Sequence, residues 1–286
     1  MHYVSSKSIL SKSNGMNLYR GCTHGCIYCD SRSEVYGMDH KFEDVEVKEN
    51  SLKLLKQELI KRPKAMIGTG AMTDPYIPLE KNLKFVRKSL ELIDRYGFGF
   101  TCITKSDLVL RDLDLFKKIN SNAKVVIQMT LTTADDELCD ILEPNVCNTS
   151  RRVEVLNILK NEGIPTVVWI CPVLPYINDT ADNINSILDS CIDADVKGII
   201  CYGMGLTLRR GNREYFYEKL DERFPGLKNK YVESFCNDYS IPSPNQDELM
   251  DIFIKRMDEH NILNNPSEIF DYLRDFPQKS VQSKLI

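Results

Sequence analysis

Short apolar runs alternate with amphipathic stretches along most of the chain. Runs at residues 16–20, 65–70, 99–104, 124–131, 165–172 and 196–203 are mostly apolar, and several are rich in β-branched side chains. Buried parallel strands have this pattern. Residues 49–61, 83–96, 110–120, 150–161, 180–193 and 214–224 read as helices. In 83–96, Leu83, Val86, Leu90 and Ile93 recur every three or four positions and mark one apolar face. Asn148 or Thr149 can cap the helix that begins near Ser150, and Gly163 with Pro165 ends it.

Strand–helix pairs in series predict an α/β fold of parallel βα units wound right-handedly. Periodicity alone allows either a partial barrel or a doubly wound sheet. Beyond about residue 225 no strand is expected, and residues 249–261 and 267–276 read as helices closing one side. No low-complexity linker interrupts the chain. The expected organisation is therefore one domain over residues 1–286, with a core at about 14–225 and a helical extension over 226–286. Chemistry in such folds gathers at the C-terminal ends of the strands.

The chain has 286 residues, 42% hydrophobic and 27% charged, an ordinary composition for a soluble globular protein. No apolar run is long enough to span a bilayer, and the first residues lack a secretory apolar core. A cytoplasmic protein without a membrane partner is expected. Net charge is −4, which neither supports nor excludes nucleic acid. The one tight basic group, Arg209, Arg210 and Arg213, reads either as a phosphate-binding patch or as a solvated helix start.

Of 10 cysteines, seven are scattered, while Cys22, Cys26 and Cys29 fall together in GCTHGCIYCDSRS. The CxxxCxxC spacing follows the first predicted strand. Gly21 and Gly25 break the segment as a helix and let the backbone pass close to a bound centre. Thiolates suit a soft metal centre, and three ligands leave one position open for an external ligand. Spacing alone leaves three readings: a [4Fe–4S] cluster, a structural zinc completed by His24, or a coincidence of buried cysteines.

The chain also resembles the radical S-adenosylmethionine (SAM) superfamily, and specifically its spore photoproduct lyase-related branch. The resemblance rests on MNLYRGCTHGCIYCDSRS, GTGAMTDPYIPLE, ITKSDLVLRDLDLF and MTLTTADDELCDILEPNVCNTSRR, in order between about residues 17 and 225. It implies a partial (β/α)6 barrel with C-terminal helices and a [4Fe–4S] cluster on Cys22, Cys26 and Cys29. SAM would bind the open iron and be cleaved reductively to a 5′-deoxyadenosyl radical that abstracts hydrogen from a substrate. An electron donor such as flavodoxin or ferredoxin is implied as a partner.

The resemblance also assigns SAM contacts residue by residue. Tyr28 would lie near adenine. The segment Gly70–Asp74 would meet the amino group through Thr73 or Asp74. Lys105 would pair with the carboxylate. Thr130 would approach the ribose, with Gln128 and Thr132 on the same face by the period of two. Arg152 would reach a carboxylate or instead pair with Glu143. For each, ordinary packing or a solvated surface position is the competing reading; for TDPY it is a turn.

Two departures from the lyase pattern stand out. Ala71 occupies the position of that family's extra, hydrogen-returning cysteine, and Asp30 stands where its tyrosine follows the third cluster cysteine. Cys171 and Cys201, on the fifth and sixth predicted strands, are the alternative hydrogen donors, with simple core packing as the competing reading. No second CxxC group follows residue 225. The substrate classes left open are a nucleic acid or nucleotide, reached through the arginines with Tyr215 and Tyr217, and a peptide, protein or small metabolite. A non-enzymatic zinc-binding module is the remote alternative.

Overall fold

The structure, a computed structural model, describes residues 1–277. The last nine positions of the predicted C-terminal extension, 278–286, lie outside the described residues. The strands in chain order are β1 (His2–Val4), β2 (Gly15–Met16), β3 (Tyr19–Arg20), β4 (Glu46–Lys48), β5 (Met66–Thr69), β6 (Gly99–Thr104), β7 (Val125–Thr130), β8 (Thr166–Trp169), β9 (Gly198–Ile200), β10 (Gly205–Thr207) and β11 (Ser240–Pro242). The helices are α1 (Ser51–Lys61), α2 (Glu80–Leu83), α3 (Phe85–Tyr96), α4 (Leu113–Asn122), α5 (Asp136–Leu142), α6 (Thr149–Asn161), α7 (Ala181–Asp193), α8 (Asn212–Arg223), α9 (Leu227–Phe235), α10 (Gln246–His260) and α11 (Pro266–Arg274).

Six strands form one parallel sheet in the order β2-β5-β6-β7-β8-β9. Sequential order with helical crossovers winds the sheet in one direction, giving a partial barrel rather than a doubly wound sheet. The two faces of each strand differ, as a period of two requires. Phe100, Cys102, Ile127 and Met129 belong to the main core against the helices, where Phe100 stacks on Phe116 at 6.0 Å. Thr101, Ile103, Gln128, Thr130 and Trp169 line the interior.

The helix boundaries follow local chemistry. On α3, Val86, Leu90 and Ile93 are fully buried, and left-handed Gly97 ends the helix with its N–H on the Asp94 carbonyl. The Asn148 side chain caps α6 by accepting from the Arg151 N–H. The barrel floor is sealed by α11, whose Ile269 and Leu273 pack on Val126, Val167 and Ile200.

Several elements differ from the sequence-based expectation. The first predicted strand is split. β2 joins the barrel, whereas β3 pairs antiparallel with β4 in a separate sheet of order β1-β4-β3. The sixth run, 196–203, contains only β9, and an additional short strand, β10, follows it outside the barrel. The expectation of no strand after residue 225 is corrected by β11, which pairs antiparallel with β10. Helices α5 and α9 were also unforeseen. Among the described residues no helix is long and apolar enough to cross a membrane.

Candidate active site

The cysteine loop leaves β3 and settles on the C-terminal end of the barrel. Its shape demands glycine at two positions. Gly21 has φ +87°, and a Cβ there would lie 2.4 Å from the Phe42 carbonyl oxygen. Gly25 has φ +75°, and a Cβ there would press on Asn145 and Pro144. The loop is bonded to the segment after α5: the Ile27 N–H donates to the Leu142 carbonyl, and the Asn145 N–H to the His24 carbonyl. The Asn145 side-chain amide donates to the Thr23 carbonyl at 3.0 Å. Beneath it, Cys26, Ile27 and Tyr28 pack with Leu142, Leu206, Phe216, Tyr231 and Ile241. The β10–β11 pair and the helices α8 and α9 therefore support the loop.

Cys22, Cys26 and Cys29 line one cavity of about 860 Å³ that opens over the strand ends. Burial pushes the Cys22 thiol up to about 12 and the Cys26 thiol well above the ordinary value. A metal bound there must displace protons from both. Among the described residues, only His2, His40 and Glu46 bring three ligand atoms within 4.8 Å of one another. The cysteine triplet is thus more widely spaced than one tetrahedral zinc with Zn–S bonds of about 2.3 Å requires. His24 faces Asp74, with Nδ1 3.5 Å from Oδ2, rather than completing a zinc site. A three-thiolate donor set too wide for one ion fits a cluster.

Asp74 links this loop to the barrel. Its carboxylate accepts from the Tyr76 N–H, the Thr104 hydroxyl and the Lys105 N–H, each at 2.8 Å. With His24 alongside, the carboxylate joins the cysteine loop to the end of β6. Gly70, at φ +102°, passes so close to β6 that a Cβ would sit 2.1 Å from the Ile103 carbonyl oxygen. Lys105 lines the cavity, its Nζ 5.8 Å from the Tyr28 ring centroid, and enters no ion pair among the described residues.

A buried layer of charge lies behind the loop. The Tyr28 hydroxyl donates to Glu143 Oε1, and Arg152 pairs with the other carboxylate oxygen at 2.5 Å. The remaining Arg152 donors go to the carbonyls of Cys147 and Thr130, at 2.9 and 3.1 Å. Burial raises the Glu143 carboxyl above the ordinary range, against the pull of Arg152.

The cavity gathers Tyr28, Gly70, Asp74, Lys105 and Thr130 around the three cysteines. Three of the expected residues lie off the cavity wall. Arg152 is 0% exposed and does not line the cavity, because its guanidinium is fully engaged by Glu143 and backbone carbonyls. Thr73 is buried beside the cavity rather than on its wall, and Asp74 takes the inward position. The Cys201 thiol faces the Met250 sulfur at 3.9 Å, away from the cavity, whereas Cys171 lines it.

The arginine group also changes meaning. Arg213 donates to the carbonyls of Leu208, Cys236, Asn237 and Asp238 and ties down the end of α9. Arg209 pairs with Asp30 at 3.6 Å and Arg210 with Glu34 at 3.1 Å. Tyr215 is covered by Arg32, 3.9 Å from its ring. Arg209, Arg210, Arg213, Tyr215 and Tyr217 do not line the cavity, although Asp30, the partner of Arg209, does. Sequence reasoning missed the wall that does: Trp169, Tyr202 and Phe270, with ring centroids 6.0–6.1 Å from Trp169. The indole N–H of Trp169 donates to Gln128, whose amide donates to Thr101. Arg274 lies at the far end, over Phe270 at 5.4 Å.

Residues 16–186, more than half the chain, match the Radical SAM superfamily. The chain belongs to that superfamily. It is 27% identical over 258 residues to an uncharacterized protein of Mycobacterium tuberculosis, covering 84% of this chain and 75% of that protein. An uncharacterized protein of Methanocaldococcus jannaschii is 34% identical over 166 residues, covering 57% and 61%. Among solved structures, spore photoproduct lyase complexed with dinucleoside spore photoproduct superposes with a TM-score of 0.64 at 12% identity, covering 92% of this chain and 80% of the lyase. This radical SAM chain and the lyase therefore share a fold.

Proposed function

We propose that the protein is a radical SAM enzyme whose substrate carries a planar ring and an anionic group, as a nucleotide or a nucleic-acid segment does. When bound, the [4Fe–4S] cluster and SAM supply a 5′-deoxyadenosyl radical that abstracts a substrate hydrogen. The chain's own residues bind and orient. Cys22, Cys26 and Cys29 hold the cluster, Lys105 offers its ammonium to the SAM carboxylate, and Tyr28 presents its ring beside them. Asp74 fixes the backbone of Lys105 and so aims that side chain.

The observation that carries the substrate class is the cavity wall opposite the cysteines. Trp169, Tyr202 and Phe270 offer aromatic faces and edges for stacking, and Arg274 stands beside them as a cation. Gln128, held by Trp169 and Thr101, places amide groups in the same wall. The lyase of similar fold has been captured with a dinucleoside spore photoproduct, which supports a base-like ligand here as well. Ala71, in place of that family's extra cysteine, argues against the same hydrogen-return step.

Reconstituted protein with a low-potential reductant is expected to release 5′-deoxyadenosine, and Cys22→Ala, Cys26→Ala or Cys29→Ala to abolish release. Retained SAM cleavage in those variants would overturn the class assignment. Nucleotides or single-stranded oligonucleotides should raise 5′-deoxyadenosine above the uncoupled rate, and Trp169→Ala should remove the increase. Stimulation by peptides alone would replace the nucleotide reading with a peptide one.

A further inference from the structure

The small sheet beside the cluster loop carries a second set of metal-binding side chains, apart from the cavity. His2 lies on β1, Glu46 opens β4, and His40 sits in the segment leading to β4. One ligand atom from each lies within 4.8 Å of the others. The two imidazoles meet edge to face with centroids 4.9 Å apart.

The Nδ1 atom of each ring already has a partner. His2 Nδ1 lies 3.0 Å from Asp44 Oδ2, and His40 Nδ1 lies 3.0 Å from the Lys41 carbonyl oxygen. A carboxylate or carbonyl behind an imidazole fixes its tautomer and raises its basicity, as in metal sites generally. His40 Nε2 then faces Glu46 Oε1 at 2.8 Å. If Nδ1–H donates to Lys41, a neutral His40 ring aims its Nε2 lone pair at a carboxylate oxygen. Two acceptors at that distance need a cation on or between them, either a proton or a metal ion.

We propose that His2, His40 and Glu46 form a second metal site, for a divalent ion of the zinc class, separate from the cluster. Two imidazoles and one carboxylate suit such an ion better than they suit calcium or magnesium. All three side chains are partly exposed, so water can complete the coordination and the ion can enter directly. Two cations already share the neighbouring carboxylates: Arg20 is 3.6 Å from Glu46 Oε1, and the Met1 amine is 2.9 Å from Asp44 Oδ1. Arg20 is anchored independently on the carbonyls of Tyr36 and Gly37.

The location gives the site a consequence. Arg20 and Glu46 are direct partners across β3 and β4, and the Cys22 N–H donates to the Phe42 carbonyl at 3.1 Å. A metal joining His2, His40 and Glu46 clamps the segment that positions the first cluster cysteine.

The test uses untagged, cluster-loaded protein dialysed against zinc chloride, with iron and zinc counted together. One zinc per chain in addition to the cluster iron is expected. His40→Ala and Glu46→Gln should each weaken zinc binding at least tenfold while iron content stays the same. A cluster-loaded protein that retains no zinc, or a His40→Ala variant that retains it fully, overturns the proposal. A second measurement separates this site from the cysteines. The full chain carrying Cys22→Ala, Cys26→Ala and Cys29→Ala, checked for a cooperative melt, is titrated with Co²⁺. Visible d–d bands without thiolate charge transfer are expected. Thiolate bands, or no bands, would overturn the proposal.

Discussion

The Tyr28 hydroxyl and the Arg152 guanidinium close on the two oxygens of one buried carboxylate, Glu143. The cysteine loop is thereby fastened to the start of α6 through a charge pair that water does not reach. Breaking such a pair from one side leaves the other charge uncompensated, at a cost of about 3–5 kcal/mol. Arg152→Met is therefore expected to lower the melting temperature sharply and to reduce iron retention. Tyr28→Phe removes one bond to a charged acceptor, at a cost of about 1.5–3 kcal/mol. Thermal unfolding of apo-protein checks both. Equal stability of Arg152→Met and wild type would exclude this role.

Much of this was legible in the sequence, but unevenly. The βα alternation exposed the barrel because each strand is apolar and each helix has one apolar face. The cysteine spacing marked the loop whose three thiols line one cavity, because thiols so close together suit a soft metal centre. What stayed hidden depends on partners distant in the chain. Glu80 and Arg111 fall in motifs that suggest a ligand site. In the fold they form a buried network in which Arg111 meets Glu80 at 2.8 Å and Asp112 at 2.7 Å. The Glu80 carboxylate also accepts from Tyr19 and from the first N–H groups of α3. These motif residues maintain the scaffold. The aromatic wall had no sequence signal, since Trp169, Tyr202 and Phe270 come from three separate segments.

Lys105 is the cavity cation nearest the cluster loop and is free of ion pairs among the described residues. A charge-assisted bond to a carboxylate is worth about 1.5–3 kcal/mol, so Lys105→Met should weaken SAM binding roughly ten- to a hundredfold. Its melting temperature should stay close to wild type, because no buried partner is stranded. Calorimetric titration with SAM on cluster-loaded protein measures the first, and unfolding the second. Unchanged SAM affinity would remove Lys105 from the site.

Gly70 allows β5 to pass β6 where Asp74 must reach the Thr104 hydroxyl. A methyl group at Gly70 meets the Ile103 carbonyl and side chain on the adjacent strand, and its φ of +102° is unfavourable for any L-residue with a Cβ. Gly70→Ala should cost about 2–3 kcal/mol, within the range for strained backbone and steric conflict. Gly37→Ala serves as a control: φ is again positive, at +63°, but nothing lies within 4 Å. It should cost about 1 kcal/mol. Comparable losses in the two variants would show that conformation, not strand contact, sets the requirement.

Burial pushes the Cys171 thiol up to about 12. In the unfolded chain a cysteine titrates near its ordinary value of about 8.5. A folded-state pKa above the unfolded one contributes stability that is fully present below the unfolded value. That stability is lost as pH rises toward the folded value. Apo-protein should therefore lose stability progressively above about pH 9, and Cys171→Ala should flatten that slope. Cys22, pushed to a similar value, contributes in the same direction, so the slope is reduced rather than abolished. Melting temperatures measured from neutral to strongly alkaline pH read the effect. Iodoacetamide labelling at mildly alkaline pH gives an independent check: Cys236, exposed on the surface, should react first, and Cys171, on the cavity wall with its thiol kept protonated, much more slowly. Rapid labelling of Cys171 in the native protein would show a thiolate where the buried environment requires a thiol.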